Sequence, residues 1–145
     1  MEYNLERFLS AHEYSYDQAL SEIKAGYKQS HWMWYIFPQI DGLGFSATAM
    51  YYAIKNMDEA KAYLNHPVLR AHLVEISEAL LCHTEKSAPQ ILGGVDAMKL
   101  HSCMTLFHIV EPENRVFTQV IQQFFNNQLD QNTTKILNHQ TKQFK

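Results

Sequence analysis

The fold class is clearest in residues 66–80, which read HPVLRAHLVEISEAL. Pro67 suits the first turn of an α-helix, because its fixed φ is already helical and its missing N–H is not needed there. Apolar side chains then recur at intervals of three or four residues, which places them on one helical face: Leu69, Leu73, Ile76 and Leu80. The stretch therefore predicts an amphipathic helix with a buried, leucine-rich seam.

Helix signals of the same kind continue on both sides of this stretch. Residues that commonly cap helices precede apolar periodic segments at Ser15, Ser46, Asn56, Ser87, Asp96 and Asp130. Helix ends are predicted at Gly26, at the Gly93-Gly94 pair and at Glu111-Pro112. Ser15 with Gln18 resembles a capping box, so a helix is expected to begin there.

These segments predict an all-α fold, a single-domain orthogonal bundle of about seven to eight short helices. At 145 residues, one domain is the default, and no strand-like alternation or internal repeat is present. We expect the helical domain to span residues 1–138. The polar residues 139–145 are expected to form a C-terminal tail that frays.

Composition and charge exclude several function classes. Hydrophobic residues make up 46% of the chain and charged residues 19%, which is enough apolar material for a packed core. The formal net charge of −3 argues against broad binding to nucleic acids or anionic membranes, which needs a basic surface. No apolar run approaches the roughly 20 residues of a membrane span.

We expect a cytoplasmic protein. Residues 1–6 lack the basic and apolar pattern of a signal peptide. The two cysteines, Cys82 and Cys103, lie in apolar helical patterns without CxxC spacing, so reduced, buried thiols are predicted and a structural disulfide is the less favoured alternative.

An aromatic segment at residues 30–39 reads SHWMWYIFPQ and is followed by Gly42-Leu43-Gly44. It contains both tryptophans of the chain. In a helix, Trp32 and Ile36 share one face while His31 and Tyr35 share another, and Pro38 ends any such turn. The segment is therefore interpreted either as a buried aromatic plug or as the wall of a ligand pocket, and one segment can do both.

The pocket interpretation assigns roles to the residues of this segment. Trp32, Trp34 and Tyr35 would line the ligand, while His31 and Gln39 would supply hydrogen bonds at the rim. If a reaction takes place there, His31 is the best general acid–base candidate by residue type.

A second set of candidate residues lies in the segment from Asp96 to His108. A broad apolar arc forms on its helical wheel from Leu100, Cys103, Met104, Leu106, Phe107 and Val110. Lys99 falls inside that arc. It would either extend its ammonium to solvent or contact an anion such as a phosphate, with Ser102 as a neighbouring donor.

Histidine positions favour structural roles over metal binding. His101, Thr105 and His108 share the opposite face of the segment, which is predicted to be solvated. His66 and His72 are predicted to lie on opposed faces of a helix, so they are poor joint ligands. The sequence predicts no metal site and identifies no cofactor, since motifs for nucleotide loops, zinc proteases and serine hydrolases are absent.

Several motifs together resemble the bacterial family known as domain of unknown function 1810, over nearly the whole chain. The resemblance rests on residues 30–39, Gly42-Leu43-Gly44-x-Ser46, Tyr52-Ala53-Ile54, His66-Pro67-Val68-Leu69 and Lys99-Leu100-x-Ser102-x-Met104-Thr105-Leu106-Phe107. It implies a compact all-helical single-domain fold and a set of motif positions, not a mechanism. Some members carry the label "calpastatin", but calpastatin proper is largely disordered, whereas this composition is typical of a packed globule.

The chain departs from the family pattern at two places. Arg70 and Ala71 stand where members often have Gly-Pro, which suggests an unbroken helix. Cys103 stands where members often have serine, which leaves Ser102 and Thr105 as the hydroxyl candidates.

Three hypotheses for function remain open at the level of sequence. The first is a small-molecule site for a ligand such as a nucleotide-like or other phosphate-bearing molecule, with Lys99 and Ser102 completing the residues named above. The second is a non-enzymatic protein-interaction module, as a monomer or homodimer, with aromatic side chains as contact residues. The third is a purely structural motif in which His31 and Gln39 satisfy buried backbone groups.

Overall fold

The computed structural model describes residues 3–143. Within them are nine α-helices and no strand, with one isolated bridge between Ile40 and Ile54. The helices are α1 (Glu6–Ala25), α2 (Met33–Ile36), α3 (Ala47–Tyr52), α4 (Met57–Asn65), α5 (Pro67–Leu81), α6 (Ala88–Leu92), α7 (Gly94–Val110), α8 (Arg115–Phe124) and α9 (Gln131–Gln143). The predicted all-α class is confirmed.

Four helices begin at capping residues that the sequence predicts. Side-chain oxygens accept first-turn backbone N–H groups at Ser46, Asn56, Ser87 and Asp130. Gly26 ends α1 with φ at 81°, in the left-handed region that glycine adopts without strain. Helix α5 runs unbroken through Arg70, as its departure from the family pattern suggests.

Three boundary predictions are wrong. Ser15 does not begin a helix, because α1 has no breaker before it, and its Oγ is instead 2.8 Å from the Tyr35 hydroxyl. Helix α7 begins at Gly94, which places Asp96 in its first turn. Helix α9 continues to Gln143, so the predicted tail is helical from residue 139 to residue 143, and its residues 144 and 145 lie outside the described residues.

Helix α7 lies at the centre of the bundle, packed against α2, α4, α6, α8 and α9. The predicted solvated face is therefore wrong. Thr105 is fully buried, His101 stacks on Phe125 at 4.2 Å between ring centroids, and the His108 ring lies 3.3 Å from the Thr118 hydroxyl. Packing of α8 and α9 on that face buries Thr105 and leaves the two histidines half-buried.

The core is a continuous set of apolar side chains that includes the whole leucine-rich seam of α5. Aromatic rings connect the helices across it. Tyr63 of α4 meets Phe8 of α1 edge-on at 5.1 Å and Phe107 of α7 at 5.4 Å, and Phe107 lies 6.0 Å from Phe117 of α8. Such offset and edge-to-face pairs add to the apolar burial itself.

A buried ion pair connects α1 to α4. Arg7 and Glu59 approach within 3.1 Å, and their side chains are only 4% and 2% exposed. The guanidinium also donates to the carbonyl oxygens of Tyr51 and Ala53, at 2.8 and 3.0 Å. The pair thereby fixes the end of α3 against the start of the chain.

The two thiols lie in different environments and form no disulfide. Cys103 is fully buried in α7, as predicted. The prediction of burial is wrong for Cys82, which caps the exposed end of α5. Among the described residues, no helix is long and apolar enough to cross a membrane.

Candidate functional site

The aromatic segment folds as the short helix α2 between two turns. Helical geometry lasts from Met33 to Ile36 and stops at Phe37, the residue before Pro38. Proline disfavours the helical region for its predecessor, as the sequence predicts.

Trp32 is the structural plug of the segment. It is 2% exposed, and its indole Nε1 donates to the carboxylate of Glu22 at 2.9 Å. The same carboxylate accepts the backbone N–H groups of Gln29 and Ser30, at 2.8 and 3.0 Å. Burial alone would raise the pKa of Glu22, but these hydrogen bonds and those from Ser30 and Gln18 side chains lower it to about 2. An ionised Glu22 therefore holds the entry to α2 in place.

Trp34, by contrast, is only half-buried and lies beside Gly44. A Cβ at residue 44 would come within 2.8 Å of Ala49 Cβ and 3.2 Å of the Trp34 ring. Glycine at this position lets the loop after α2 approach the indole closely, which gives the Gly-Leu-Gly motif a steric role.

Lys99 of α7 lies over the ring of Trp34, with its Nζ 4.0 Å from the ring centroid. The geometry is that of a cation–π contact. It brings together the two segments that the sequence marked as separate candidates, and it explains how a lysine is accommodated on the apolar arc of α7.

Asp96 connects Lys99 to a second lysine that the sequence analysis missed. Its Oδ1 is 3.1 Å from Lys99 Nζ and its Oδ2 is 2.9 Å from Lys28 Nζ. Lys28 Nζ in turn lies 5.1 Å from the centre of the Trp32 ring. Burial acts to raise the pKa of Asp96, but hydrogen bonds from both lysines lower it overall, so the carboxyl is ionised at neutral pH.

Two clefts meet at the Trp34–Lys99 contact. The lysine cleft, about 250 Å³, is lined by Lys28, His31, Trp32, Met33, Trp34, Tyr35, Thr48, Asp96 and Lys99. The polar cleft, about 280 Å³, is lined by Trp34, Gln39, Leu43, Val95, Met98, Lys99, His101, Ser102, Asp130 and Asn132. Lys99 and Trp34 belong to both, so they form the wall between them.

Asp130 organises the polar cleft. Its Oδ2 accepts hydrogen bonds from the hydroxyl of Ser102 at 3.0 Å and from the backbone N–H of Thr133 at 3.1 Å. Ser102 thus faces the cleft through Asp130, whereas its neighbour Cys103 is buried in the core. The predicted hydroxyl candidate Thr105 donates to the His101 carbonyl instead.

The predicted site residues therefore divide between the two clefts. His31, Trp34, Tyr35 and Lys99 line the lysine cleft, and Gln39 and Ser102 line the polar cleft. Trp32 contributes a wall to the lysine cleft but is enclosed elsewhere, so the plug interpretation describes it best. The polar residues missed by the sequence predictions are Lys28, Thr48 and Asn132, and the apolar ones include Val95 and Met98; Asp96 and Asp130 were recognised only as helix starts.

Of the residues whose role in the site was not predicted, only some could have been found from a pattern in the sequence. Asp96 stands three residues before Lys99, a spacing at which side chains on a helix meet. Lys28 and Asp130 reach the site through tertiary packing, which no local pattern predicts.

His31 is exposed in the lysine cleft. Among the described residues, no side chain hydrogen-bonds its imidazole; the His31 carbonyl accepts the Tyr35 hydroxyl at 3.2 Å. A general base usually has a partner that orients its ring, so the geometry gives no support to a catalytic dyad at His31.

A pair of histidines holds the C-terminal end of α2. The carbonyl of Tyr35 can only accept, so His12 Nε2 donates to it, at 2.8 Å. His12 Nδ1 must then accept from His72 Nδ1, which lies 2.9 Å away. Burial is the main cause that lowers the pKa of His12 to about 4, so its neutral form is maintained at neutral pH. The sequence predicts His72 only as a poor joint ligand with His66, and no local pattern indicates its pairing with His12, 60 residues away.

The described residues contain no group of three or more His, Cys, Asp or Glu side chains that could hold a metal ion. What the two clefts offer instead is ammonium groups, indole and thioether surface, imidazoles, neutral hydrogen-bonding groups and one carboxylate each, from Asp96 and Asp130.

Fold and site together define a small helical domain in which a His-Trp-x-Trp-Tyr segment is covered by a lysine from the central helix. The sequence profile of the family described as "Protein of unknown function (DUF1810)" matches residues 2–137. The chain belongs to this family, which confirms the resemblance inferred from its motifs.

One solved structure extends the comparison. The conserved hypothetical protein Rv1873 from Mycobacterium tuberculosis shares 36% sequence identity and a TM-score of 0.91 with the chain. The similarity covers 93% of this chain and 96% of that chain. No curated protein matches the chain.

Proposed function

We propose that this chain binds a small molecule that combines an anionic group with a planar or apolar part, such as a nucleotide-like or other phosphate-bearing metabolite. The observation that carries the proposal is the contact of Lys99 with Trp34 at 4.0 Å, between two clefts. Charge and ring surface are available side by side there, which is the combination such a ligand requires.

The state of the two lysines supports an anion at this place. The side chains of Lys28 and Lys99 are 8% and 20% exposed, so their ammonium groups have lost much of their water. A charge-assisted hydrogen bond is stronger in such surroundings than on an open surface. Held over Trp32 and Trp34, both groups are also already ordered, which reduces the entropy that binding must remove.

Cleft size sets the scale of the ligand. Each cleft is slightly smaller than about 300 Å³, where pockets for drug-sized ligands begin. A nucleotide-sized molecule would therefore extend through both, passing Trp34 with its apolar part against Leu43 and Met98. Binding is proposed here without a reaction, because His31 has no orienting side chain among the described residues.

Titration with adenosine nucleotides and sugar phosphates, followed by tryptophan fluorescence and thermal shift, tests the proposal. We expect a ligand to change the emission of Trp34 and to raise the melting temperature. Lys99→Gln is expected to weaken binding about tenfold or more through loss of a charged contact, while Lys61→Gln, on an exposed position of α4, serves as the matched control.

The Trp34→Phe variant should lose the fluorescence response, since Trp32 is enclosed. A flat response to every ligand class would contradict the proposal. Equal weakening by Lys99→Gln and Lys61→Gln would place the binding elsewhere on the molecule.

An interaction module is the second candidate, and exposed apolar side chains favour it. Phe45, Met50 and Tyr51, in and before α3, are 79%, 48% and 55% exposed. Such side chains are common contact residues in protein interfaces. A concentration-dependent mass in light scattering, abolished by Phe45→Ser, would support a homodimer through this surface.

A further inference from the structure

We infer that Asp96 makes the site selective for ligands with a single negative charge, so that a monoanion binds in preference to a phosphomonoester dianion. The inference rests on the proposed function, because it specifies which anions the same clefts accept. It assigns Asp96 a role in specificity rather than in affinity.

The lysine cleft holds two positive charges and one negative charge side by side. Lys28 and Lys99 each contact a different oxygen of Asp96, at 2.9 and 3.1 Å. The carboxylate therefore lies between the two ammonium groups, and its side chain is 19% exposed, so solvent screens it only in part. Two positive charges and one negative charge leave a single positive charge for the ligand.

An anion cannot reach either ammonium without also approaching Asp96. A ligand with one negative charge neutralises the remaining positive charge of the group. A second negative charge on the same anionic group of the ligand has no cation left to pair with, and the Asp96 carboxylate repels it. The repulsion is larger here than in water, because the three side chains are mostly enclosed.

The polar cleft extends the same preference to the other end of the ligand. Asp130 brings a negative charge to it, while Gln39, Asn132 and Ser102 are neutral. The Asp130 Oδ2 already accepts from Ser102 and from Thr133, so the carboxylate is held in position. This end consequently favours hydroxyl or amino groups that donate hydrogen bonds and disfavours a further anion.

The ligand class that fits is thus a molecule with one anionic group, an apolar or planar middle and neutral or donating groups at the far end. Two kinds of anion meet the description, a phosphodiester and a carboxylate. Each has a single negative charge. Both can be attached to the same nucleoside, so they can be compared directly.

Three adenosine derivatives test the inference, since they share the nucleoside and carry different anions. The 3′,5′-cyclic monophosphate carries a phosphodiester, adenosine 5′-carboxylic acid a carboxylate, and the 5′-monophosphate a group that is a dianion above its second pKa of about 6. Isothermal titration at pH 7.5 is expected to show at least about tenfold tighter binding of one or both monoanions than of the 5′-monophosphate. The two monoanion arms also distinguish a phosphodiester site from a carboxylate site.

Asp96→Asn is the decisive variant, because it removes the charge and nearly preserves the shape. It is expected to reduce the preference for monoanions about tenfold, by improving binding of the 5′-monophosphate. Asp58→Asn, an exposed position on α4 outside both clefts, should keep the wild-type ratio.

A second measurement uses the wild-type protein alone, in case Asp96→Asn does not fold. Lowering the pH from 7.5 to 5.5 converts most of the 5′-monophosphate to a monoanion, so its affinity should approach that of the cyclic nucleotide. The quantity compared is the ratio of the affinities for the 5′-monophosphate and the cyclic nucleotide at each pH. A change in the charge of Lys28, Lys99, His31 or Asp130 that affects both ligands equally cancels in this ratio.

The outcomes separate the inference from the proposed function. Wild-type preference for the 5′-monophosphate, or an unchanged ratio in both Asp96→Asn and the pH series, would overturn the role of Asp96 while leaving ligand binding intact. Absence of binding of all three adenosine derivatives, with no response to the wider ligand panel, would instead remove the proposed function and the inference with it.

Discussion

At the scale of single residues, the Tyr63 hydroxyl is notable because it has no hydrogen-bond partner. It is the one buried side-chain N or O atom without a partner among the described residues. Burial raises the pKa of Tyr63 far above its usual value, so the group stays neutral, but its donor and acceptor capacity is unused. A buried polar group in this state destabilises a fold by about 1–3 kcal/mol relative to a satisfied one.

Tyr63→Phe is therefore expected to leave the free energy of unfolding unchanged or to raise it by about 1 kcal/mol. Tyr16→Phe deletes the same atom from a hydroxyl that donates to Glu75 Oε1 at 2.5 Å, and it should lower stability by about 1 kcal/mol or more. Urea unfolding of both variants measures the difference. Equal destabilisation would indicate a partner for the Tyr63 hydroxyl, such as an enclosed water.

At the scale of elements, α1 holds the aromatic segment in place. Glu22 fixes the turn before α2, the Ser15 hydroxyl pairs with the ring hydroxyl of Tyr35, and His12 binds the Tyr35 carbonyl. A helix of four residues is not stable by itself, since nucleation is unfavourable. The position of Trp34 in the site thus depends on polar side chains of a different helix.

Arg7 extends this role of α1 to α3 and α4, and its ion pair gives a quantitative test. Arg7→Ala leaves Glu59 buried without its cation, which should lower the free energy of unfolding by about 3–5 kcal/mol. The pair Arg70–Glu111 is the control: it has bidentate geometry at 3.0 and 2.8 Å, but the Arg70 side chain is 42% exposed. Arg70→Ala should lower stability by at most about 1 kcal/mol.

Chemical denaturation of the two variants distinguishes burial from geometry as the source of the effect. If Arg70→Ala were as destabilising as Arg7→Ala, the stability contributed by an ion pair would depend on bidentate contact more than on exclusion of water. A double variant that replaces Arg7 and Glu59 by apolar side chains should recover part of the loss, since no unpaired charge remains.

At the scale of the whole molecule, local patterns predicted the class of fold and the apolar interior better than the site. Capping residues and apolar periodicity depend on neighbours three or four positions away, so Ser46, Asn56 and the seam of α5 were predictable. The contact of Trp34 with Lys99 depends on how α2 packs against α7. The sequence identified both residues as candidates but could not predict that they meet. The solvated face of α7 was a wrong prediction because a wheel does not show that α8 and α9 cover it.

The pH dependence of stability is a property of the whole molecule, and His12 governs its mildly acidic range. In the unfolded chain an imidazole takes up a proton near pH 6.5, whereas burial lowers the pKa of His12 in the folded protein to about 4. The unfolded state therefore binds more protons between these values, and stability must fall as the pH falls from about 6.5 towards 4. Burial also lowers the pKa of His72, which acts in the same direction.

Each such group contributes a slope of at most about 1.4 kcal/mol per pH unit in this window. Glu22, whose pKa is lowered to about 2, reduces the free energy of unfolding only at lower pH, once the pH falls below the usual pKa of a glutamate. Urea unfolding at pH 7, 6 and 5 should show the decline in wild type. His12→Gln should be less stable at pH 7 but have a flatter profile. A His12→Gln profile parallel to wild type would mean that another group, such as His72, takes up the proton in this range.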